Sequence, residues 1–276
     1  MAERPMIERR DRFLGLLGTR PVIMGILNIT PDSFSDGGKF FAPEAAMRHA
    51  KELAEAGADI IDTGAESTRP GHTPISTEEE LARLEPVLGK LTAEIDLPLS
   101  VDTSKAAVAR RAIEHGACVI NDVWGLQRDP AMAAVIAESG AVAVIMHNRA
   151  AIEPEVDILA DMRRFFDRSL RLAEQAGIPR AHLILDPGIG FGKSRAQNFT
   201  ALRNLAALKD YELPILVGVS RKSLLAERGA PPGHLTLIRT IAANLAAVLN
   251  GVSIFRVHDP AEHAAAFKVF NAIARR

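Results

Sequence analysis

Cysteine occurs once in the 276 residues, at Cys118. A single thiol excludes an internal disulfide framework and any metal site built from several cysteines, and it makes a reducing, cytoplasmic compartment the expectation. Tryptophan and tyrosine also occur once each, and aromatics make up 5% of the chain. A flat heterocyclic ligand therefore has no Trp and Tyr cage to enter, and an Arg or Phe must supply the stacking surface. Neither sign of charge is in excess: 33 Lys and Arg stand against 34 Asp and Glu, for a net charge of -1. That balance argues against a nucleic-acid binder and against a disordered acidic tail. Long apolar runs are missing too. The longest stretch without a charged residue, Thr240 to Phe255, covers 16 positions and is interrupted by Asn244, Asn250 and Gly251, short of the roughly 20 apolar residues that span a bilayer. Met1 to Arg12 mixes Glu, Arg and Asp without an apolar centre, unlike a signal peptide.

What is present is an unbroken alternation. Short Val- and Ile-rich segments predict strands at Val22 to Asn28, Asp59 to Gly64, Leu99 to Thr103, Cys118 to Val123, Val142 to His147, His182 to Pro187, Pro214 to Ser220 and Ser253 to His258. Near-continuous apolar runs are the mark of parallel strands covered on both faces. Between them lie helical stretches. Pro43 to Ala56 places Ala46, Ala50, Leu53 and Ala54 on one face and is followed by Gly57. Thr77 and Glu80 have capping-box spacing before Leu81, Leu84, Leu88 and Leu91, with Pro86 expected to kink that helix. Helices are likewise expected at Ala106 to His115, Pro130 to Ser139, Val156 to Ala176, Ala196 to Lys209, Leu237 to Leu249 and Pro260 to Arg275. Eight strand and helix units with no separating linker predict a single α/β domain, a closed (β/α)8 TIM barrel at residues 21–276, behind an N-terminal extension at residues 1–20.

The polar residues cluster at strand ends. Asn28, Asp62, Asp102, Asn121 with Asp122, His147 with Asn148, Asp186, Ser220 to Ser223 and Arg256 to Asp259 all close an apolar segment. In a parallel barrel the C-terminal strand ends share one mouth, so the active site is expected there. Many such residues are ordinary helix caps. Asp102, Asp186 and Arg256 are not explained that way, because a charge within an apolar run is costly unless paired. Two loops, Asn28 to Gly38 and Glu66 to Gly71, mix Gly and Pro with hydroxyls and charges, as loops that close over a substrate do. A third, Gly218 to Ser223, is expected to end a strand and open a helix, offering backbone N–H groups with Lys222 and Ser223 to an anion.

Taken in order, Met24 to Gly38 (MGILNITPDSFSDGG), Glu66 to Gly71 (ESTRPG), Ser100 to Lys105 (SVDTSK), Ile120 to Asp122, Met146-His147, Leu185 to Lys193 (LDPGIGFGK), Ser220 to Ser223 (SRKS) and Arg256 to Asp259 (RVHD) resemble the dihydropteroate synthase family. The resemblance runs from residue 22 to residue 259. It implies joining of 6-hydroxymethyl-7,8-dihydropterin diphosphate to 4-aminobenzoate, with release of diphosphate, by an SN1-like step in folate biosynthesis. On that reading Asp102, Asp186, Asn121 and Lys222 contact the pterin edge, Arg256 stacks on the ring, and Met146 and Phe191 line the pocket. Asn28 contacts Mg2+, while His258 and Arg256 bind the diphosphate with Thr68 and Ser67 close by. Ser223 and a helix N-terminus hold the aminobenzoate carboxylate, Phe34 and Pro70 shape its slot, and Asp36 and Arg69 pair across the loops or assist the substrates. Cys118 has a packing role. The resemblance also implies a homodimer and a sulfonamide target, with no nucleic-acid or membrane partner.

The chain departs from the family pattern at Asn148-Arg149-Ala150, at Thr236 to Thr240, which lacks a Gly, and at Trp124. None of these carries an assigned role. The alternatives are a pterin-binding, corrinoid-dependent methyltransferase domain, which has no use for a diphosphate loop or the Ser-Arg-Lys-Ser turn, and a silent pterin-binding paralogue, which retention of Asn28, Lys222 and His258 disfavours.

Overall fold

The structure, a computed structural model, describes residues 3–29, 43–67, 73–225 and 234–274. Among the described residues eight strands alternate with helices in the order α1 (Glu3–Leu16), β1 (Val22–Asn28), α2 (Pro43–Glu55), β2 (Ile60–Gly64), α3 (Thr77–Glu94), β3 (Leu99–Asp102), α4 (Ala106–Glu114), β4 (Val119–Asp122), α5 (Met132–Ser139), β5 (Val142–Met146), α6 (Ile158–Ala176), β6 (Leu183–Asp186), α7 (Arg195–Arg203), β7 (Leu216–Val217), α8 (His234–Leu249), β8 (Ile254–Val257) and α9 (Pro260–Ala274). All neighbouring strands pair in parallel, in the order β6, β5, β4, β3, β2, β1, β8, β7. A parallel bridge between Leu185 and Ile215 completes the ring between β6 and β7. The molecule is the expected (β/α)8 barrel.

The helices form where the apolar stripe and the caps agree. In α6 the Asp157 carboxylate accepts from the backbone N–H groups of Leu159 and Ala160, and Gly177 ends the helix in the left-handed region at φ +83°. Its buried residues, Ile158, Met162, Phe166, Ser169 and Ala173, recur at helical intervals. In α2 the buried stripe is Ala46, Met47, Ala50 and Leu53, with Ala54 at its margin.

Local chemistry shifts three expected features. The cap of α3 is Ser76 and not Thr77: its backbone is extended and its Oγ accepts from Glu79 N at 3.2 Å, while the helix continues through Pro86. The helix expected from Ala196 to Lys209 stops at Arg203. There the Asn204 side chain donates to Thr200 O at 2.8 Å, and the chain tightens into a 3-10 turn over Leu205–Tyr211. The strand expected from Pro214 to Ser220 keeps ladder pairing over Leu216–Val217 alone.

Apolar side chains fill two regions. One lies between sheet and helices. The other occupies the barrel's lower interior, where Val22, Met24, Ile60, Val119, Val142, Val144, Ile184, Leu216 and Ile254 pack together. Met6 and Phe13 of α1 are buried in that same cluster, so the helix in the N-terminal extension plugs the barrel's floor. Cys118 belongs to it as well, and burial pushes its thiol up to about 11, which leaves it a packing residue.

Candidate active site

Side chains on a strand alternate between faces, so the interior position that follows Ile60, Val119, Val144, Ile184 and Ile254 on each strand is Asp62, Asn121, Met146, Asp186 and Arg256. These five form the next layer, together with Ser100 and Asp102. The sequence places an ionisable group there three times, and burial must be offset by pairing. Arg256 Nε donates to Asp62 Oδ2 at 2.6 Å, and one of its terminal nitrogens donates to Asp102 Oδ2 at 3.1 Å. Ser100 Oγ donates to Asp62 Oδ1 at 2.5 Å, and Asn121 Nδ2 to Asp62 Oδ2 at 3.4 Å.

The pairing is incomplete in an informative way. Asp102 Oδ1 and Asn121 Oδ1 are buried and have no hydrogen-bond partner, and Asp102 and Asn121 are directly paired in the β3–β4 register. Two adjacent unsatisfied oxygens suit a ligand with a polar edge, because leaving such atoms buried and unpaired costs about 1–3 kcal/mol each. Burial drives Asp102 up to about 8, helped by the neighbouring Asp62 charge and opposed by Arg256. At neutral pH without a ligand its carboxyl thus retains a proton. Burial also raises Asp186, whose Oδ1 accepts from Gly188 N at 2.7 Å. Burial disfavours the Arg256 charge, but Asp62 and Asp102 outweigh it and keep the guanidinium ionised.

Lys222 reaches the layer from the turn after β7. Arg221 sits in the left-handed region at φ +57° and is held by a bidentate ion pair with Asp259, which turns Lys222 inward. The Lys222 ammonium donates to Ile189 O and lies 4.4 Å from the centre of the Phe191 ring. Burial lowers it to about 8, against the pull of Asp186. His258, at the end of β8, is fixed by Ser220: its backbone N–H donates to Ser220 Oγ at 3.1 Å, and the same hydroxyl is 2.9 Å from His258 Nδ1.

The structure therefore brings Asp102, Asn121, Asp186, Lys222, Arg256 and Phe191 together at one mouth, with buried Met146 opposite Asp186 in the β5–β6 register. Asn28 ends β1, half-buried, and Ser67 lies just beyond β2. Ser223 is exposed at the rim, and the α-helix expected to begin beside it is absent there. A 3-10 turn over Ser223–Leu225 follows instead, and α8 starts only at His234, so no helix N-terminus stands behind Ser223. Phe34, Asp36, Thr68, Arg69 and Pro70 lie outside the described residues.

Sequence reasoning assigned no role to Asp62, although a carboxylate inside Ile60–Gly64 was a sufficient signal. It is fully buried and holds Arg256, Ser100 and Asn121 at once. Lys105 was also passed over. Its ammonium joins Glu66, after β2, to Glu80 on α3, and Glu66 Oε1 accepts from Ile75 N at 3.4 Å. Both flanks of residues 68–72 are thereby tied to Glu66. Burial raises Glu80 despite that pairing.

Comparison with known proteins agrees with this site. Residues 24–258 match the pterin binding enzyme family. A dihydropteroate synthase of Clostridium beijerinckii is 43% identical over 94% of this chain and 97% of its own length. Among solved structures, a Clostridium difficile dihydropteroate synthase determined in the presence of pteroic acid superposes with a TM-score of 0.89 at 46% identity, covering 94% of this chain and 99% of that one. The Xanthomonas albilineans dihydropteroate synthase with 4-aminobenzoic acid gives 0.88 at 43% identity, over 93% and 94% of the two chains.

Proposed function

The chain belongs to the dihydropteroate synthase family of pterin-binding enzymes, and on that premise we propose how its barrel mouth performs the family's reaction. It condenses 6-hydroxymethyl-7,8-dihydropterin diphosphate with 4-aminobenzoate, giving 7,8-dihydropteroate and diphosphate. The observation that carries the assignment of roles is the pair of unpartnered oxygens, Asp102 Oδ1 and Asn121 Oδ1, set among Asp186, Lys222 and Arg256.

The pterin edge supplies the missing partners. Asp102 and Asp186 meet its ring N–H and amino groups, Asn121 both donates and accepts, and Lys222 donates to its carbonyl and ring nitrogen. Arg256, gripped at its edge by Asp62 and Asp102, offers a guanidinium face for the ring, while Met146 and Phe191 line the pocket. Ionisation follows the same geometry: the carbon–oxygen bond to the diphosphate breaks with its electron pair leaving on oxygen, and the cation left behind is delocalised into a pterin held by carboxylates. The neutral aniline nitrogen then forms the new bond and loses a proton. No protein nucleophile is required.

The leaving group departs toward His258, positioned by Ser220, with Arg256, Ser67 and Thr68 around it. The donor set at this end fits Mg2+: Asn28 provides a hard carboxamide oxygen, and among the described residues no group of three or more His, Cys, Asp or Glu converges, which suits an ion whose remaining shell is substrate oxygens and water. When bound, Mg2+ neutralises charge developing on the diphosphate. The aminobenzoate carboxylate is held by Ser223 at the rim, with Phe34, Pro70, Asp36 and Arg69 completing its slot, and sulfonamides compete for the same place.

The working unit is a cytoplasmic homodimer. Leu235, Ile238 and Leu249 of α8 and Val269 and Ile273 of α9 are exposed apolar residues suited to a copy of the same surface. Among the described residues no helix is long and apolar enough to cross a membrane. The test of the reading is a coupled assay for diphosphate release from the pterin diphosphate, with and without 4-aminobenzoate and with Mg2+ withheld. Release that requires aminobenzoate and Mg2+ is expected. A protein that binds pterin and releases nothing would overturn it.

A further inference from the structure

The loop from Pro187 to Lys193, between β6 and α7, is wound around its own last residue. Lys193 is 4% exposed. Its ammonium donates to Gly188 O at 2.8 Å, Phe191 O at 3.2 Å and His147 O at 3.3 Å, which spends all three protons on carbonyls. The glycines fit this winding. Gly188 has φ +62°, and a Cβ there would lie 1.9 Å from His147 O. Gly192 has φ +57°, and a Cβ there would lie 2.3 Å from Arg149 O. From outside, Asn198 closes the loop, accepting from Gly190 N at 2.6 Å and donating to Lys193 O at 3.1 Å.

Each caged group has a counterpart in the pterin site. The N–H of Gly188 orients Asp186, Ile189 O holds the Lys222 ammonium, and the Phe191 ring lies beneath that ammonium. Resting on the reading of the site given above, we propose that Lys193 is the positioning residue of the pterin pocket, setting Asp186 and Lys222 through the carbonyls it gathers and touching no substrate itself. Only the ammonium form can satisfy three acceptors, because a neutral amine turns a lone pair toward one of them. Burial brings that proton's loss down to about 7. Asp186 and Asp161 resist the loss, and Lys222 and Arg149 favour it.

The test is a titration of 6-hydroxymethylpterin into wild-type protein and Lys193→Met at about pH 6.5 and about pH 8.5, with steady-state constants for both substrates. In Lys193→Met pterin affinity falls about tenfold or more at the lower pH and the KM for the pterin diphosphate rises in step, while the KM for aminobenzoate moves less than about twofold. The loss of affinity between the two pH values becomes smaller than in wild type, because only the Lys222 titration remains. Unchanged pterin affinity, or a fall in kcat with both KM values intact, would overturn the proposal. Should Lys193→Met not fold, Asn198→Ala takes its place, with the same split at about threefold, and an equal rise in both KM values would count against the idea. If wild-type protein neither binds pterin nor releases diphosphate, the functional reading fails and this inference falls with it. If wild type is active and the variants behave like it, this inference alone is wrong.

Discussion

The lower and upper halves of the barrel interior are built on the same strands, one inward-facing position apart, and they obey opposite rules. Below, Val22, Met24, Ile60, Val144, Ile184 and Ile254 pack with Met6 and Phe13 of α1, every one at most 3% exposed and none needing a hydrogen bond. Above, Asp62, Asp102, Asn121, Asp186 and Arg256 are also largely buried, but their polar demands are met only in part. The floor holds the ring of strands at one diameter. The mouth uses that rigidity to keep charged groups where no well-relaxed protein would leave them, and the deficit is what a pterin removes. Stability and chemistry are therefore separable by layer.

The substitution that strains this separation most is Arg256→Ala, because Arg256 belongs to both accounts. It leaves Asp62 and Asp102 buried without their cation, so unfolding free energy is expected to fall by about 3–5 kcal/mol and kcat/KM by about a hundredfold or more, measured by urea titration and steady-state kinetics. Phe13→Ala acts on the floor alone. A cavity there costs about 3–5 kcal/mol, while kcat/KM stays within about twofold. A large activity loss in a folded Phe13→Ala protein would break the division between layers.

Lys222→Ala and His258→Ala act on the mouth alone. Each is expected to lower turnover by about tenfold or more with little change in Tm, Lys222 mainly through pterin affinity. The wild-type affinity for pterin should also weaken as pH rises through about 8, where the Lys222 ammonium loses its proton. A smaller effect sits at the rim. His147 is fully buried, its Nε2 3.2 Å from Asp161, and burial depresses it to about 3. Its unfolded value is higher, near 6.5, so the unfolded chain binds more protons over the interval between. The stability associated with a neutral His147 is complete above pH 6.5 and is lost as pH falls toward 3. Chemical denaturation across that range should show the loss, and His147→Gln should flatten it.

Much of this was legible in the chain. Eight near-continuous apolar runs announced parallel strands, because a strand covered on both faces cannot alternate. Charges at the tips of those runs, at Asp102, Asp186 and Arg256, announced the mouth, because a charge in such a place needs a reason. The remainder depends on distances that no spacing encodes. Asp62 reads as one more strand-end carboxylate until Arg256, 194 positions away, is seen bound to it. Lys193 reads as the end of a glycine loop until the loop is seen to close on it. The helix expected behind Ser223 failed because the turn's composition suits an anion site and a 3-10 turn equally well.

The claim that the mouth is an incomplete polar layer completed by a pterin is tested most directly by calorimetric titration of 6-hydroxymethylpterin, at about pH 7, into wild-type protein and into Lys222→Met. Saturable binding to wild type, weakened by about tenfold or more in the variant while its Tm stays within a few degrees, is the predicted result. Equal affinity in two folded proteins would contradict it.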